Sequence, residues 1–324
     1  MTLKRIAELS GVSPATVSNI LNNKGKFSQA TRDRVYEVVA RESYEINGLA
    51  RDLRRKSTGI IALCLESLKG PFFSELIEGV QEGVRSANYN FIVASSYGGV
   101  DSSAYKMLNE QRVDGAIIFA PSMPDDMLLT LAKKIPLIVL DRQISHDNIN
   151  TILLNNATGI NQIINYCIEH NFTKIGYISG IGFHYDNKQR LQSFKDALNH
   201  HGLSLATEYM FEGDFTIQAG REVAEKLYQS NNFPEVMVCA NDEMAIGLIA
   251  SLQDVGVNIP EHMSVVGFDN LTIGTLLKPR LATVSHCKFD LGVLAVTNLL
   301  DTLAGNHPDN VVVETEFVYR ESLK

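Results

Sequence analysis

The chain has 324 residues, of which 45% are apolar and 20% charged, and a net charge of −8. At roughly 150 residues per domain, this length predicts two or three domains, and the composition excludes a disordered chain. No apolar run approaches the roughly 18 residues of a membrane span.

The N-terminus and the cysteines indicate the cellular location and exclude two kinds of structural site. The start MTLKRIAELSGVS has no small-residue cleavage site, so we expect no secretory signal and a cytoplasmic location. The four cysteines lie far apart and form no C-x-x-C pair. This spacing argues against a disulfide framework and a structural zinc site, and we expect no metal.

The charge is unevenly distributed along the chain. Residues 1–56 contain eleven Lys/Arg and six Asp/Glu, a net +5, which leaves 18 and 31, a net −13, for residues 57–324. A basic head on an acidic body indicates a polyanionic partner for the head alone. The alternative is a solvated basic tail.

The head has the pattern of three short helices. Thr2 is placed to cap the first, and Gly11 fits a left-handed helix stop. Ser13 can cap the second, with Pro14 at its first position, and Ser28 opens the third. We predict a bundle whose inward side chains are Leu3, Ile6, Ala7, Leu9, Val17, Ile20, Leu21, Val35, Val38 and Val39.

The outer face of the second helix carries only small or hydrogen-bonding side chains, namely Ala15, Thr16, Ser18, Asn19 and Asn22. A face this slim can lie in the major groove of DNA, where Asn and Thr contact base edges and methyl groups. A three-helix bundle with no ligand is the alternative. The positive charge and the tight turn at Gly11 favour DNA.

The segment Asn47–Lys56 is too short and too basic to be a stable helix alone. It can order on an anionic surface, with Leu53 as an apolar wedge in a minor groove. A plain linker helix that docks Leu49 and Leu53 on the body is equally compatible with the residues.

These segments resemble the head and hinge of the LacI/GalR family of bacterial repressors, in the stretches TLKRIAELSGVSPATVSNILNN, TRDRVYEVV and SYEINGLARDLRRKSTGIIAL. The likeness continues to the C-terminus. It implies a helix-turn-helix domain at 1–45, a hinge at 46–57 and an effector-binding and dimerisation domain at 58–324. Ile46 departs from the proline that many relatives carry before the hinge.

The same resemblance implies the DNA contacts. Leu53 matches the leucine that intercalates at the operator centre. The full set that we expect to contact DNA is Thr2, Ser13, Pro14, Ala15, Thr16, Ser18, Asn19, Asn22, Ala50, Arg51, Leu53 and Arg54.

From Thr58 onward, apolar runs alternate with amphipathic segments. We predict strands at Ile60–Leu65, Asn90–Ser95, Gly115–Phe119, Leu137–Leu140, Lys174–Ser179, Glu208–Glu212, Val236–Ala240 and Ser264–Phe268. We predict helices at Phe73–Ala87, Asn156–His170, Arg190–His201, Ile217–Ser230 and Asp242–Asp254. The pattern predicts an α/β body of two doubly wound parallel-sheet lobes behind the all-α head. We place lobe one at about 58–154 and 287–312, and lobe two at about 155–286 and 313–324.

Aromatic and polar side chains follow the strand ends of both lobes. They are Phe72, Phe73, Asp141 and Arg142 in lobe one, and Arg190, Phe215, Asn241, Asp242, Asp269 and Asn270 in lobe two. Ligands of such sheets bind beyond the carboxyl ends of the strands, so we expect a site in the cleft between the lobes. Rings that cover C–H faces, with acid, amide and guanidinium groups for hydroxyls, suit a sugar.

Each of these residues has a plainer explanation. Asp141, Asp242 and Asp269 can be helix caps or turn formers. Phe72 and Phe73 can be core residues, and Arg190 can pair with Asp186 at the surface.

The body also resembles the periplasmic binding protein-like class I fold, which implies the effector contacts. His286 stands where relatives often have glutamine, and His184 and Asp186 lie in a loop that varies among relatives. The full set is Phe72, Phe73, Asp141, Arg142, His184, Asp186, Arg190, Phe215, Asn241, Asp269 and His286.

We therefore expect a homodimeric transcriptional regulator that binds a palindromic operator and is released by a monosaccharide or its phosphate. We expect no enzyme and no cofactor, because the chain lacks a G-x-G-x-x-G loop opening a helix, a phosphate loop and a serine elbow. An exported solute-binding protein is a rival that the missing signal disfavours. The alternative regulator takes a phosphorylated carrier protein as corepressor, although the helix after His286 lacks the basic and tyrosine-containing pattern expected for it. The chain also lacks C-terminal leucine heptads, so we expect a dimer.

Overall fold

The computed structural model describes residues 2–21, 24–44, 57–140 and 142–324. The chain divides into two compact units, Met1–Thr58 and Gly59–Lys324. In the described ranges, no helix combines the length and the apolar character that a membrane crossing requires. Asn22, Asp141 and the hinge residues Ala50, Arg51, Leu53 and Arg54 lie outside the described residues, so their predicted roles stay predictions.

The first unit contains helices α1 (Leu3–Ser10), α2 (Pro14–Leu21) and α3 (Gln29–Arg41). The Thr2 hydroxyl accepts from the Arg5 N–H at 3.4 Å, and Gly11 ends the first helix at φ +65°. Ser28 caps the third helix through the Thr31 N–H. These caps confirm the prediction, because each satisfies a backbone group that a helix end leaves unpaired.

The core of this unit is formed by the fully buried side chains Ile6, Ala7, Val17, Ile20, Val35 and Val38. Leu21, which we expected to be buried, is the last residue of its helix and is only half-buried.

The second unit is built on two parallel sheets. The larger has the spatial order β11-β5-β4-β3-β1-β2. Its strands are β1 (Ile60–Leu65), β2 (Asn90–Ser95), β3 (Gly115–Phe119), β4 (Leu137–Val139), β5 (Ile149–Leu154) and β11 (Val311–Val313). The smaller has the order β7-β6-β8-β9, with β6 (Ile175–Ser179), β7 (Met210–Glu212), β8 (Val236–Cys239) and β9 (Ser264–Val266). All pairs within the two sheets are parallel, as the buried apolar runs predicted.

Helices cover both sheets, and a short antiparallel pair joins β10 (Thr283–Ser285) to β12 (Glu316–Val318). The helices are α4 (Phe72–Ser86), α5 (Ser103–Asn109), α6 (Asp125–Ala132), α7 (Asn156–Glu169), α8 (Tyr185–His200), α9 (Ile217–Ser230), α10 (Asp242–Asp254) and α11 (Lys288–Leu303). We refer to the six-stranded sheet with its helices as lobe one and to the four-stranded sheet with its helices as lobe two.

Two predicted elements differ from the structure by two or more residues at their N-terminal end, and strands β5, β11 and β12 were not predicted. The helix placed at Arg190–His201 begins at Tyr185, so Arg190 lies in its second turn rather than at its start. Residues 208 and 209 of the predicted strand Glu208–Glu212 lie in a 3-10 turn. Strand β5 was not predicted because its sequence, INTILL, carries two buried polar residues, Asn150 and Thr151.

Close helix pairs stiffen both lobes. A Cβ at Gly79 on α4 would lie 2.0 Å from the Phe289 carbonyl oxygen on α11. In lobe two, a Cβ at Gly220 on α9 would lie 2.0 Å from the Met244 carbonyl oxygen on α10. Only glycine permits this backbone approach, because any side chain would force the helices apart.

The chain passes between the two lobes three times, near Asn155, near His286 and near Glu314. Thr315 ties two of these passages together, since its hydroxyl donates to the Asn155 carbonyl at 2.7 Å and accepts from the Gly159 N–H at 2.9 Å. The passages are therefore held side by side.

Candidate functional site

A cavity of about 410 Å³ lies at the carboxyl ends of the strands of both sheets, between the two lobes. This is where open parallel sheets bind their ligands. The predicted effector residues that line it are Phe72, Phe73, His184, Asp186, Arg190, Phe215, Asn241 and Asp269. The structure thus brings together side chains that are up to 197 positions apart in the sequence, at Phe72 and Asp269.

Lobe one contributes an aromatic wall. The ring centroid of Phe72 lies 5.2 Å from that of Phe73 and 5.6 Å from that of Phe119, and the Phe73 and Phe119 centroids are 5.7 Å apart. Phe119, the last residue of β3, was predicted as a strand residue but not as part of the site. Its position at a strand end is the signal that could have identified it. The three rings offer flat apolar faces of the kind that pack on the C–H face of a sugar.

Phe215 faces this wall from lobe two. It has φ +70°, a conformation that side chains rarely adopt. Its ring lies over the backbone of Gly180, where an added Cβ would be 2.1 Å from a ring carbon. Asn241 holds the backbone of Phe215 by donating from Nδ2 to its carbonyl at 2.9 Å, and its Oδ1 accepts from the Met244 N–H at 3.0 Å. Asn241 therefore both caps α10 and fixes the ring.

Arg190 is buried at the base of the cavity, with 4% of its surface exposed. Its Nε donates to Asn156 Oδ1 at 2.8 Å, and its Nη1 donates to the Ala240 carbonyl at 2.6 Å. Its guanidinium carbon lies 3.6 Å from the centroid of the Phe268 ring. The surface pairing with Asp186 is therefore wrong; Asp186 instead accepts from Asn156 Nδ2 at 2.7 Å.

Asp269 lies beside Arg190, with its Oδ1 3.7 Å from Nη1. The residue is 4% exposed, has φ +113°, and its Oδ1 has no hydrogen-bond partner within the described part of the chain. A buried acceptor without a donor costs free energy unless something supplies one. A hydroxyl of a bound ligand would do so.

His286, which we expected to contact the effector, does not line the cavity. Its side chain is fully buried behind Asp269, with Nε2 3.6 Å from Asp269 Oδ1. Its ring centroid lies 5.9 Å from that of Phe72, so it supports the site from behind.

Two contacts cross the cavity from one lobe to the other. His184 Nε2 lies 3.5 Å from Glu66 Oε2. Burial, and then the charge of Arg142, lower the pKa of His184 to about 4, so this contact is not an ion pair near neutrality. On the other side, Glu243 Oε1 approaches Gly70 so closely that a Cβ there would lie 2.7 Å away. Glu66 and Glu243 were missed by the sequence analysis, although Glu66 directly follows β1.

Arg142 does not line the cavity. Its Nη1 donates to the Met123 carbonyl at 2.9 Å and its Nη2 to the Ala120 carbonyl at 2.7 Å. Burial raises the pKa of Glu66, and a hydrogen bond with Ser122 and the charge of Arg142 lower it by a smaller amount.

Two buried ionisable residues, Lys288 and Asp242, lie near Asp269. Lys288 Nζ donates to the Asp269 carbonyl at 2.5 Å and lies 3.2 Å from Glu75 Oε2. Asp242 Oδ1 accepts from the Thr283 hydroxyl at 2.5 Å, and its Oδ2 accepts from the Leu271 N–H at 2.7 Å. Burial, and then Asp269, raise the pKa of Asp242 to about 8. Asp242 is therefore not the helix cap, since Asn241 fills that role.

In the first unit, α2 presents Pro14, Ala15 and Asn19 as exposed side chains, with Thr16 and Ser18 half-buried. The Ser13 hydroxyl accepts from the Thr16 N–H at 3.0 Å and lies 2.9 Å from the Thr16 hydroxyl. The face is slim because its side chains are short and lie close to the helix.

No group of three or more His, Cys, Asp or Glu side chains is placed to hold a metal ion, as far as the described residues extend.

Two family models match the chain. Residues 2–47 match the model of bacterial regulatory proteins of the lacI family. Residues 58–321 match the model of periplasmic binding proteins and the sugar-binding domain of the LacI family.

Relatives match over their whole length. The HTH-type transcriptional repressor PurR of Aliivibrio salmonicida is 30% identical over 328 residues, which is 99% of this chain and 98% of that protein. The ribose operon repressor of Haemophilus influenzae is 30% identical over 326 residues, again 99% and 98% of the two chains. The crystal structure of a lac repressor dimer bound to operator and an anti-inducer superposes with a TM-score of 0.89 at 25% identity, covering 100% of this chain and 99% of that one.

These relatives are transcriptional repressors and not enzymes. The match of both domain models, in order, accounts for the helical head and for the two parallel-sheet lobes. The chain belongs to the LacI family of bacterial regulatory proteins and is a DNA-binding transcriptional repressor.

Proposed function

We propose that this chain represses a sugar-utilisation operon in the cytoplasm and that a small sugar in the cavity releases it from DNA. The observation that carries the proposal is the buried pair of Arg190 and Asp269, which lies among aromatic rings with an acceptor oxygen left unpartnered. The names of the ribose operon repressor and of the LacI-type sugar-binding domain support it.

The repressor binds its operator as a dimer. Two heads contact two half-sites of a palindrome, because the twofold symmetry of the protein is matched in the DNA. Phosphate contacts from the basic head supply most of the affinity, and the exposed face of α2 reads the sequence. The lac repressor dimer bound to operator, a structural neighbour, supports this arrangement.

The sugar acts by population shift. A ligand that contacts both the Phe72 side and the Arg190 side of the cavity favours one arrangement of the lobes. If that arrangement separates the two hinges, the operator is released. The ligand must prefer it by at least a few kcal/mol to change the DNA-bound fraction appreciably.

The proposal is tested in two steps with the full chain. Selection from random duplex DNA should yield a palindromic site, and light scattering of the 35.8 kDa chain should give a dimer. A thermal-shift screen of monosaccharides and sugar phosphates should then find a ligand that raises the melting temperature and lowers operator affinity. No preference for any duplex over random competitor contradicts the DNA-binding role, and a stable tetramer contradicts the assembly.

The alternative corepressor is tested in the same assay. If no sugar changes operator affinity but a serine-phosphorylated carrier protein raises it, the sugar-gated function is wrong.

A further inference from the structure

The charges around the cavity are strongly unequal. Among the described residues that line it, five are acidic, namely Glu66, Asp186, Asp214, Glu243 and Asp269. Burial raises the pKa of Glu66, Asp186 and Glu243, which weakens but does not reverse this excess. Two lining residues are permanent cations, Lys69 and Arg190, and the charge of Arg142 acts on the cavity from outside its lining. His184 adds no positive charge near neutrality, because burial, and then Arg142, lower its pKa to about 4.

Arg190 is poorly placed to act as an anion receptor. Anions are held best by an open guanidinium fork that donates two parallel hydrogen bonds. Here Nε and Nη1 already donate to Asn156 and to the Ala240 carbonyl, and Asp269 neutralises the charge from 3.7 Å. The N–H groups that remain on Nη1 and Nη2 can donate to ligand oxygens, but they do not form an open fork around an anion.

Asp269 offers the ligand an acidic acceptor. The residue lines the cavity, and its buried Oδ1 has no hydrogen-bond partner in the described structure. A sugar hydroxyl can donate its proton to the Asp269 carboxylate while its own oxygen accepts from Arg190. A phosphate or carboxylate oxygen brings no proton and places a second negative charge against the first.

The helix N-termini at the cavity do not compensate for this. A bare N-terminus attracts anions, but side chains occupy the N-termini of α9 and α10. The Thr216 hydroxyl accepts from the Ala219 N–H at the start of α9, and Asn241 accepts from the Met244 N–H at the start of α10. The first turns of α4 and α8 carry Glu75 and Asp186.

We propose that the cavity selects an uncharged monosaccharide and rejects sugars that carry a phosphate or a carboxylate. This inference rests on the proposed function and narrows it to one class of effector. The acidic side chains disfavour a negative charge on the ligand. The rings of Phe72, Phe73, Phe119 and Phe215 favour a ligand with flat C–H faces.

The first test uses matched sugars on the full-length dimer. Calorimetry compares D-ribose with ribose 5-phosphate, D-glucose with glucose 6-phosphate and glucuronate, and D-galactose with galacturonate. We expect the neutral member of one set to bind at least about fiftyfold more tightly than its anionic counterparts, since a like charge in a buried site costs several kcal/mol. An anionic member that binds as tightly as its neutral counterpart overturns the inference.

The second test does not depend on the ligand, so it judges the charge argument behind this inference separately from the proposed function. A single cysteine is introduced at Ile181, which lines the cavity, in a Cys287→Ser background that removes the one exposed thiol among the four native cysteines. Its reaction with a cationic and an anionic methanethiosulfonate is compared with that of Ser86→Cys, an exposed site at the end of α4.

The ratio of cationic to anionic reaction rates should be at least about tenfold higher for Ile181→Cys than for Ser86→Cys, because the reagents differ by two charges in a potential of a few kT. Adding Asp214→Asn and Glu243→Gln should bring the two ratios together. Equal ratios without those changes, or a higher ratio at Ser86→Cys, overturn the inference.

Discussion

The buried carboxyl of Asp242 should make the stability of the second unit, Gly59–Lys324, decrease as the pH rises. Burial, and then the neighbouring Asp269, raise its pKa to about 8, whereas an aspartate in an unfolded chain has a pKa of about 4. Between these values the folded protein holds one proton more than the unfolded chain. The free energy of unfolding therefore falls by about 1.4 kcal/mol for each pH unit of increase.

The substitution Asp242→Asn removes this dependence while keeping both hydrogen bonds. The amide oxygen can accept from the Leu271 N–H, and the amide N–H can donate to the Thr283 hydroxyl, where Asp242 now makes its two contacts. Between about pH 5.5 and about pH 7.5, the stability of the variant should rise relative to the parent by about 3 kcal/mol. The contributions of most other groups cancel in this difference.

Urea unfolding followed by circular dichroism, at fixed protein concentration, measures both proteins at each pH. Asp254→Asn is the matched control, because it makes the same chemical change at the exposed last residue of the same helix. It should differ from the parent by a constant of about 0.5 kcal/mol or less. A constant offset between Asp242→Asn and the parent across this range would refute the reasoning.

Three further predictions concern the hinge, the cavity and the packing. Leu53→Ala should weaken operator binding by about 10- to 100-fold in anisotropy titrations, as loss of a buried leucine predicts, and should reduce DNA bending measured by energy transfer; unchanged affinity contradicts the wedge. Arg190→Lys keeps the charge but loses the stack on Phe268 and the bond to Asn156, so the sugar response should fall by about tenfold or more while sugar-free operator affinity is unchanged. Gly220→Ala should lower the melting temperature by about 2 to 12 °C, since overpacking costs about 1–3 kcal/mol. Its control is Gly182→Ala, where an added Cβ meets no atom within 4 Å.

The sequence predicts best those elements whose causes are local. Ile217–Ser230 and Asp242–Asp254 agree with the structure at both ends, because Thr216 and Asn241 cap them. The strand Ile60–Leu65 also agrees, because an unbroken apolar run is buried on both faces. The strand Ile149–Leu154 was missed for the opposite reason. Its buried Asn150 is satisfied by the Pro308 and Asp309 carbonyls and by Asn298, which lie about 150 positions away along the chain.

The candidate site follows the same rule. Eight predicted residues line the cavity because strand ends of parallel sheets meet at one edge. How deeply a residue is buried at that edge depends on distant parts of the chain and cannot be predicted from its neighbours in sequence. His286 was therefore expected to line the cavity, although it lies behind Asp269. The contact of the Arg190 guanidinium with the Phe268 ring was missed as well, since the two residues meet only once the sheet has formed.

Three chain passages connect the lobes, and Thr315 ties two of them together, an arrangement that favours a hinge motion of one lobe against the other. Chain segments that are held side by side allow one lobe to rotate about them as a hinge, and they resist sliding of one lobe along the other. The glycine-mediated helix contacts keep each half rigid while it turns. A pair of fluorescent labels across the mouth of the crevice would therefore follow this hinge motion.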